Sequence, residues 1–141
     1  MDFLSNDYER KAAEFHEAFR GTINQPLSAD LLRLRRALLA EEVRELFVEI
    51  DTAIEALEAG AEVARQTRLN LLKEAADVQY VLSGMSVAFG WPIAEVYARV
   101  HASNMSKLGR DGRPVLRDDG KILKGPGYQP PVLDDLLKDK S

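Results

Sequence analysis

An apolar seam runs along residues 39–57 and restricts this segment to a helix that packs against another helix. Its members are spaced alternately four and three residues apart, which keeps them on one helical face: Leu39, Val43, Leu46, Ile50, Ala53 and Leu57. Ser28 is a candidate N-cap, and Gly60 marks the turn that follows. The pattern therefore predicts one long helix from Ser28 to about Glu58.

A shorter helix is predicted before this one, and a long helix after it. The first contains apolar residues at helical spacing, is capped by Ser5, Asn6 or Asp7, and ends at Gly21. The later helix extends over about 62–89 and has apolar stripes on two faces. Such a helix suits the inside of a bundle or a contact between two subunits.

Gly90 ends that two-striped helix, and Pro92 suits the first turn of a fourth one. After about Ser106 the helical pattern gives way to turn signals, with a candidate hairpin formed by 115–117 and 121–123. The sequence thus predicts an all-α bundle of four to five helices over about 5–105, followed by a long loop or small hairpin over about 106–141. With 141 residues we expect one domain, 1–141.

Charge and composition exclude several classes of function. The formal net charge of -4 and the pI of about 5.2 argue against a nucleic-acid partner, because phosphate backbones are bound by basic surfaces. The absence of cysteine excludes disulfides and thiolate metal sites. We expect no membrane partner and a cytoplasmic location, since neither a signal peptide nor an apolar membrane-spanning run is evident.

Carboxylates are concentrated beside the apolar faces of the two long helices. The second helix contains Glu41, Glu42, Glu45 and Glu49, and the third contains Glu74 and Asp77. Residues three or four apart share a helical face, so these side chains point toward the edge of the core. Crowded carboxylates there repel one another and lose hydration unless a cation compensates them. All-oxygen ligands suit Mg²⁺, with Mn²⁺ as a substitute, and favour chemistry on phosphate esters.

Two other interpretations of the carboxylates remain open. An E-x-x-E pair is commonly a solvated helix face, and Arg35, Arg36, Arg44 and Lys73 are available as ion-pair partners. A helical di-iron site would use E-x-x-H motifs, but the fourth position of each motif is Glu45 or Asp77. The sequence therefore favours the magnesium site over the di-iron site.

Two parts of the chain together resemble a known superfamily. Glu42-x-x-Glu45 followed by Glu74-x-x-Asp77 is similar to the E-x-x-E and E-x-x-D motifs of the MazG-like all-α nucleoside triphosphate pyrophosphohydrolases. The segments 100–108 and 124–128 resemble the end of small MazG-like proteins. The resemblance implies that Glu42, Glu45, Glu74 and Asp77 bind magnesium. It leaves Glu41 as a further ligand or as the group that orients the attacking water.

Within that superfamily the chain is most similar to the dUTP diphosphatase branch, which converts dUTP to dUMP and pyrophosphate. The resemblance implies attack of a metal-activated water at the α phosphorus, with Glu41 and Glu42 as candidate catalytic residues. It also implies that Asn104 and Lys107 contact sugar and phosphates. Specificity for dCTP, for nucleoside triphosphates in general or for phosphoribosyl-ATP remains an alternative.

Further candidate substrate residues lie near both ends of the chain. His16 and Phe19 belong to a stretch similar to one that helps form the base pocket of relatives, and the amides of Asn24 and Gln25 could read a base edge. The locally basic segment after Ser106 could close over the triphosphate, and its candidates are Arg110, Lys124 and Tyr128.

The two-striped third helix also predicts self-association. Its apolar surface exceeds what short helices of one chain can cover, so we expect a homodimer or a dimer of dimers. A non-enzymatic helical protein that dimerises or recruits a partner would have the same feature. This remains the alternative from another functional class.

Overall fold

The computed structural model describes residues 6–137 and is all-α, as the sequence predicts. Its helices are α1 Asp7–Ala18, α2 Ala29–Glu58, α3 Arg65–Phe89 and α4 Ile93–Met105. They are followed by strands β1 Val115–Leu116 and β2 Ile122–Leu123 and by a 3₁₀ turn, Asp134–Leu136. No helix among the described residues is both long enough and apolar enough to cross a bilayer.

Side-chain caps begin the first two helices where the sequence predicts them. The Asn6 side chain accepts a hydrogen bond from the Tyr8 amide at 2.8 Å. Ser28 Oγ accepts one from the Leu31 amide at 3.2 Å. Each bond satisfies an amide that has no partner within its own helix, so the residue types explain both helix starts.

The two long helices end in the same type of glycine cap. At the end of α2, the Ala61 amide donates to the carbonyl of Ala56, and Gly60 adopts φ +72°. At the end of α3, Gly90 adopts φ +67° while the Trp91 amide donates to the carbonyl of Ser86. Both are Schellman arrangements, in which glycine takes the left-handed conformation at little steric cost.

The predicted start of α3 was wrong by three residues. The helix begins at Arg65 rather than near Glu62, because the Ala61 amide belongs to the Schellman turn that ends α2 and residues 61–64 have no regular secondary structure. Ala64, the residue before the helix, has no side chain that can cap it. Pro92 likewise precedes α4 instead of lying in its first turn, although its carbonyl accepts the bond from Val96.

The chain divides into two compact units, the first ending at Trp91 and the second beginning at Pro92. In the first unit, α3 packs against both α1 and α2. Five residues of the α2 seam are partly buried, but Leu57 is 62% exposed because α3 begins too late to cover it. The prediction of a single domain over 1–141 stays a prediction.

The second unit contains α4 and the predicted hairpin. β1 and β2 are antiparallel, with Val115 opposite Leu123, and Gly120 adopts φ +86° in the turn between them. Arg99 on α4 donates hydrogen bonds to the Val132 carbonyl and to the carboxylate of Asp135. The segment predicted as a loop or tail is therefore attached to α4 by ionic and backbone contacts.

Candidate metal centre

Three carboxylates from α2 and α3 converge at one point, and we call them the acidic triad. Each of Glu42, Glu45 and Glu74 contributes one oxygen, and these three oxygens lie within 4.8 Å of one another. Glu42 and Glu45 share a face of α2 because they are three residues apart. Glu49 of α2 contacts Asn70 of α3, whereas the later residue Glu74 lies beside the earlier residues Glu42 and Glu45. The two helices are therefore antiparallel.

The acidic triad contains buried oxygens without partners. Among residues 6–137, Glu42 Oε2 and Glu74 Oε2 are buried and accept no hydrogen bond. Burial raises the pKa of Glu42, and the neighbouring charges of Glu45, Asp77, Glu74 and Glu41 raise it further. Buried acceptors with excess negative charge match the needs of a hard divalent cation, which binds carboxylate oxygens.

Asp77, the fourth predicted ligand, is close to the acidic triad but outside it. Its charge contributes to the raised pKa of Glu42, so it lies near that carboxylate. However, Asp77 Oδ2 accepts a hydrogen bond from Lys73 Nζ at 2.8 Å. The same ammonium donates to Glu74 Oε1 at 3.2 Å, and these bonds raise the pKa of Lys73.

The two other glutamates in this part of α2, Glu41 and Glu49, have different surroundings. Glu41 is exposed, and its charge adds to the raised pKa of Glu42. Glu49 Oε1 instead accepts a hydrogen bond from Asn70 Nδ2 at 3.0 Å. Sequence analysis missed Asn70. Its position four residues before Glu74, on the same face of α3, was the available signal.

The four basic residues that the sequence suggests as ion-pair partners of the carboxylates make different contacts. Lys73 pairs with acidic residues, whereas Arg44 donates to the Ala40 carbonyl. Arg35 is buried, and its burial lowers its pKa. Among the described residues neither Arg35 nor Arg36 forms an ion pair, so only Lys73 supports the solvated-face interpretation.

The candidates near the first helix form a separate group. His16 is buried, and its Nδ1 lies 2.6 Å from the Thr22 carbonyl, which fixes the ring. Phe19 is 71% exposed and stacks on Phe15 at 4.5 Å. Gln25 lines an open cleft of about 520 Å³ at the start of α2. The acidic triad does not line this cleft.

In the second unit, Asn104 and Lys107 contact each other, and their predicted role as substrate residues stays a prediction. Lys107 Nζ donates to Asn104 Oδ1 at 3.0 Å, and the Lys107 carbonyl accepts from the Gly125 amide at 2.9 Å. Lys124 lies 4.7 Å from the centre of the Tyr128 ring, in cation–π geometry. Arg110 is exposed.

Comparisons with known proteins identify similar sequences and structures. The profile of the phosphoribosyl-ATP pyrophosphohydrolase family matches residues 12–104, a range that includes the acidic triad, Asp77 and Asn104. A crystal structure from Exiguobacterium sp. 255-15, provisionally described as an NTP pyrophosphohydrolase, is 26% identical over 89% of each chain, with a TM-score of 0.44. No curated protein matches the chain.

Proposed function

The chain belongs to the phosphoribosyl-ATP pyrophosphohydrolase family, and we propose that it is a magnesium-dependent hydrolase that converts dUTP to dUMP and diphosphate. Family membership supports the coarser activity, hydrolysis of a diphosphate bond in a nucleotide. The metal and the base are the finer parts of the proposal. The MazG-like resemblance and the acidic triad support them.

The observation that supports a metal most directly is the pair of buried oxygens, Glu42 Oε2 and Glu74 Oε2, which have no partner among the described residues. A buried carboxylate oxygen without a partner is costly, and a cation between α2 and α3 would remove that cost. In the proposal Glu42, Glu45 and Glu74 hold the ion and Asp77 completes the set. A bound divalent ion supplies charge neutralisation for phosphate oxygens and a lowered pKa for water.

The protein's own groups have distinct roles in this scheme. Glu41 is exposed and directly precedes Glu42, and in the proposal it accepts a proton from the attacking water. Asn104 and Lys107 would bind sugar and phosphate, since Lys107 provides a cation and Asn104 an amide. His16, Phe19, Gln25, Arg110, Lys124 and Tyr128 are proposed as further substrate contacts.

The test is a turnover panel at increasing Mg²⁺ and Mn²⁺, in which pyrophosphate release is measured from dUTP, dTTP, dCTP, ATP and phosphoribosyl-ATP. We expect release that requires the metal and strongly favours dUTP. Comparable cleavage of dCTP or ATP would contradict the dUTP assignment while leaving the pyrophosphohydrolase intact. A preference for phosphoribosyl-ATP would assign the substrate named by the family.

A non-enzymatic helical dimer remains the second candidate. It is favoured by the exposed apolar side chains of α2 and α3, such as Phe47 at 56% and Leu72 at 72%. Pyrophosphate release without metal, or no release from any nucleotide in the panel, would count against the proposed enzyme. Absence of release with stable self-association would support this second candidate.

A further inference from the structure

A lysine lies among the carboxylates that the proposed function assigns to a metal ion. Lys73 Nζ lies 2.8 Å from Asp77 Oδ2 and 3.2 Å from Glu74 Oε1. Lys73 and Asp77 are one helical turn apart on α3, and Lys73 directly precedes Glu74. Its single ammonium therefore bridges two of the four proposed ligands.

The bridge divides those ligands into two sets. The oxygens of Glu42, Glu45 and Glu74 already lie within 4.8 Å of one another. Asp77 is outside this group, and one of its oxygens is occupied by the lysine. An ammonium group and a divalent cation both bind carboxylate oxygens, so they compete for the same oxygen of Asp77.

We propose that Lys73 is a tethered competitor of the divalent cation, which must displace the Lys73 ammonium from Asp77 to complete its ligand set. This inference rests on the proposed function, because it requires that the acidic residues bind metal. It assigns Lys73 as a positioning residue that sets metal affinity by its hold on Asp77.

The exposure of the bridge explains why it can act as a reversible competitor. The Lys73 side chain is 66% exposed, whereas the side chains of Glu74 and Asp77 are 13% and 38% exposed. Exposed ion pairs are weak because water screens them, so an arriving divalent ion can replace this one. The Arg33–Asp30 pair, at 76% and 97% exposed, is by contrast a simple surface pair away from the acidic triad.

The test measures Mn²⁺ affinity directly, by the electron paramagnetic resonance signal of free Mn²⁺ in the absence of nucleotide. The full chain is compared with Lys73→Met, which removes the ammonium, and Lys73→Arg, which keeps a cation. Arg68→Met is the matched control, because it removes a positive charge from the exposed surface of the same helix and Arg68 has no ion pair among the described residues. Circular dichroism verifies that each variant is helical.

We expect Lys73→Met to bind Mn²⁺ about three- to five-fold more tightly than the unaltered chain, near the upper end of what exposed ion pairs contribute. Lys73→Arg should remain within about two-fold of the unaltered chain, and Arg68→Met should do the same, because neither releases Asp77. Unchanged or weaker binding by Lys73→Met would overturn the inference. Equal tightening in Arg68→Met would also overturn it, since net charge alone would then explain the effect.

Failure of this inference is distinguishable from failure of the proposed function. If the unaltered chain binds Mn²⁺ and Lys73→Met binds it no more tightly, only the competition is excluded. If the unaltered chain and every variant fail to bind Mn²⁺, the metal centre itself is excluded and the competition with it.

Discussion

The proposed metal site requires an ionised Glu42, but the surroundings of this carboxyl group oppose its ionisation. Burial and four neighbouring carboxylates raise its pKa in the folded chain. The unfolded chain loses this proton at lower pH, so between the two pKa values the folded state binds more protons and stability falls as the pH rises. The stabilising contribution is fully present below the unfolded pKa and is lost through the folded one. A bound cation would reverse this penalty.

We therefore predict opposite effects of Glu42→Gln on stability and on activity. In the presence of a chelator, the variant should melt about 2–4 °C above the unaltered chain near neutral pH, and this difference should shrink in acid. Metal-dependent turnover should fall by about 100-fold or more, because the cation that neutralises the phosphate oxygens would lose a carboxylate ligand. Thermal melts with chelator or Mg²⁺, together with pyrophosphate assays, measure both effects.

Glu55→Gln is the matched control for that prediction. Glu55 is exposed on the same helix and is not a member of the acidic triad. It should change neither the melting temperature with chelator nor turnover appreciably. If Glu42→Gln behaves like Glu55→Gln, the carboxylate at residue 42 is ordinary surface charge.

At the scale of elements, the end of α3 positions the loop that contains Gln25. The amides of Asn24 and Gln25 donate to the carbonyls of Val87 and Ala88, and Asn24 itself adopts φ +52°. A Cβ at residue 90 would lie 2.1 Å from Asn24 Oδ1. The helix end and the loop thus require a glycine at residue 90 for two independent reasons, backbone conformation and close approach.

We predict that Gly90→Ala lowers the free energy of unfolding by about 2–3 kcal/mol. Gly60→Ala is its matched control, because Gly60 has a similar φ of +72° but a Cβ there would have no atom of residues 6–137 within 4 Å. It should cost only the backbone strain, about 1 kcal/mol. Urea denaturation measures both, and equal losses would show that the contact with Asn24 contributes nothing.

At the scale of the whole molecule, one chain leaves much apolar surface uncovered. The buried apolar side chains among residues 6–137 are Ala12, Val87, Ala88 and Phe89. Leu69, Leu72 and Tyr80 on one stripe of α3 are each more than two-fifths exposed. A core this small gives limited stabilisation. Packing a second copy of the chain against the stripe would bury more apolar surface and add to the stability. The homodimer or dimer of dimers remains a prediction on these grounds.

Leu72→Arg should weaken self-association by at least about ten-fold, since a charge would have to be buried in the contact. Leu137→Arg is the matched control: Leu137 is also 72% exposed but belongs to the second unit. Sedimentation equilibrium over a range of concentrations measures the mass of each. A monomeric unaltered chain, or equal weakening by both substitutions, would contradict a contact through this stripe.

The amino-acid sequence by itself determined which segments are helical and where most of the helices begin and end. It also determined the helical faces on which the carboxylates lie. These properties depend on periodicity, caps and glycine positions, which act within a few residues. Only the tertiary structure decided which carboxylates meet, because the packing of α2 on α3 sets which faces oppose each other. It brought Glu42, Glu45 and Glu74 together and paired Asn70 with Glu49. Contacts between residues distant in sequence follow from the packing of whole helices, which no local pattern specifies.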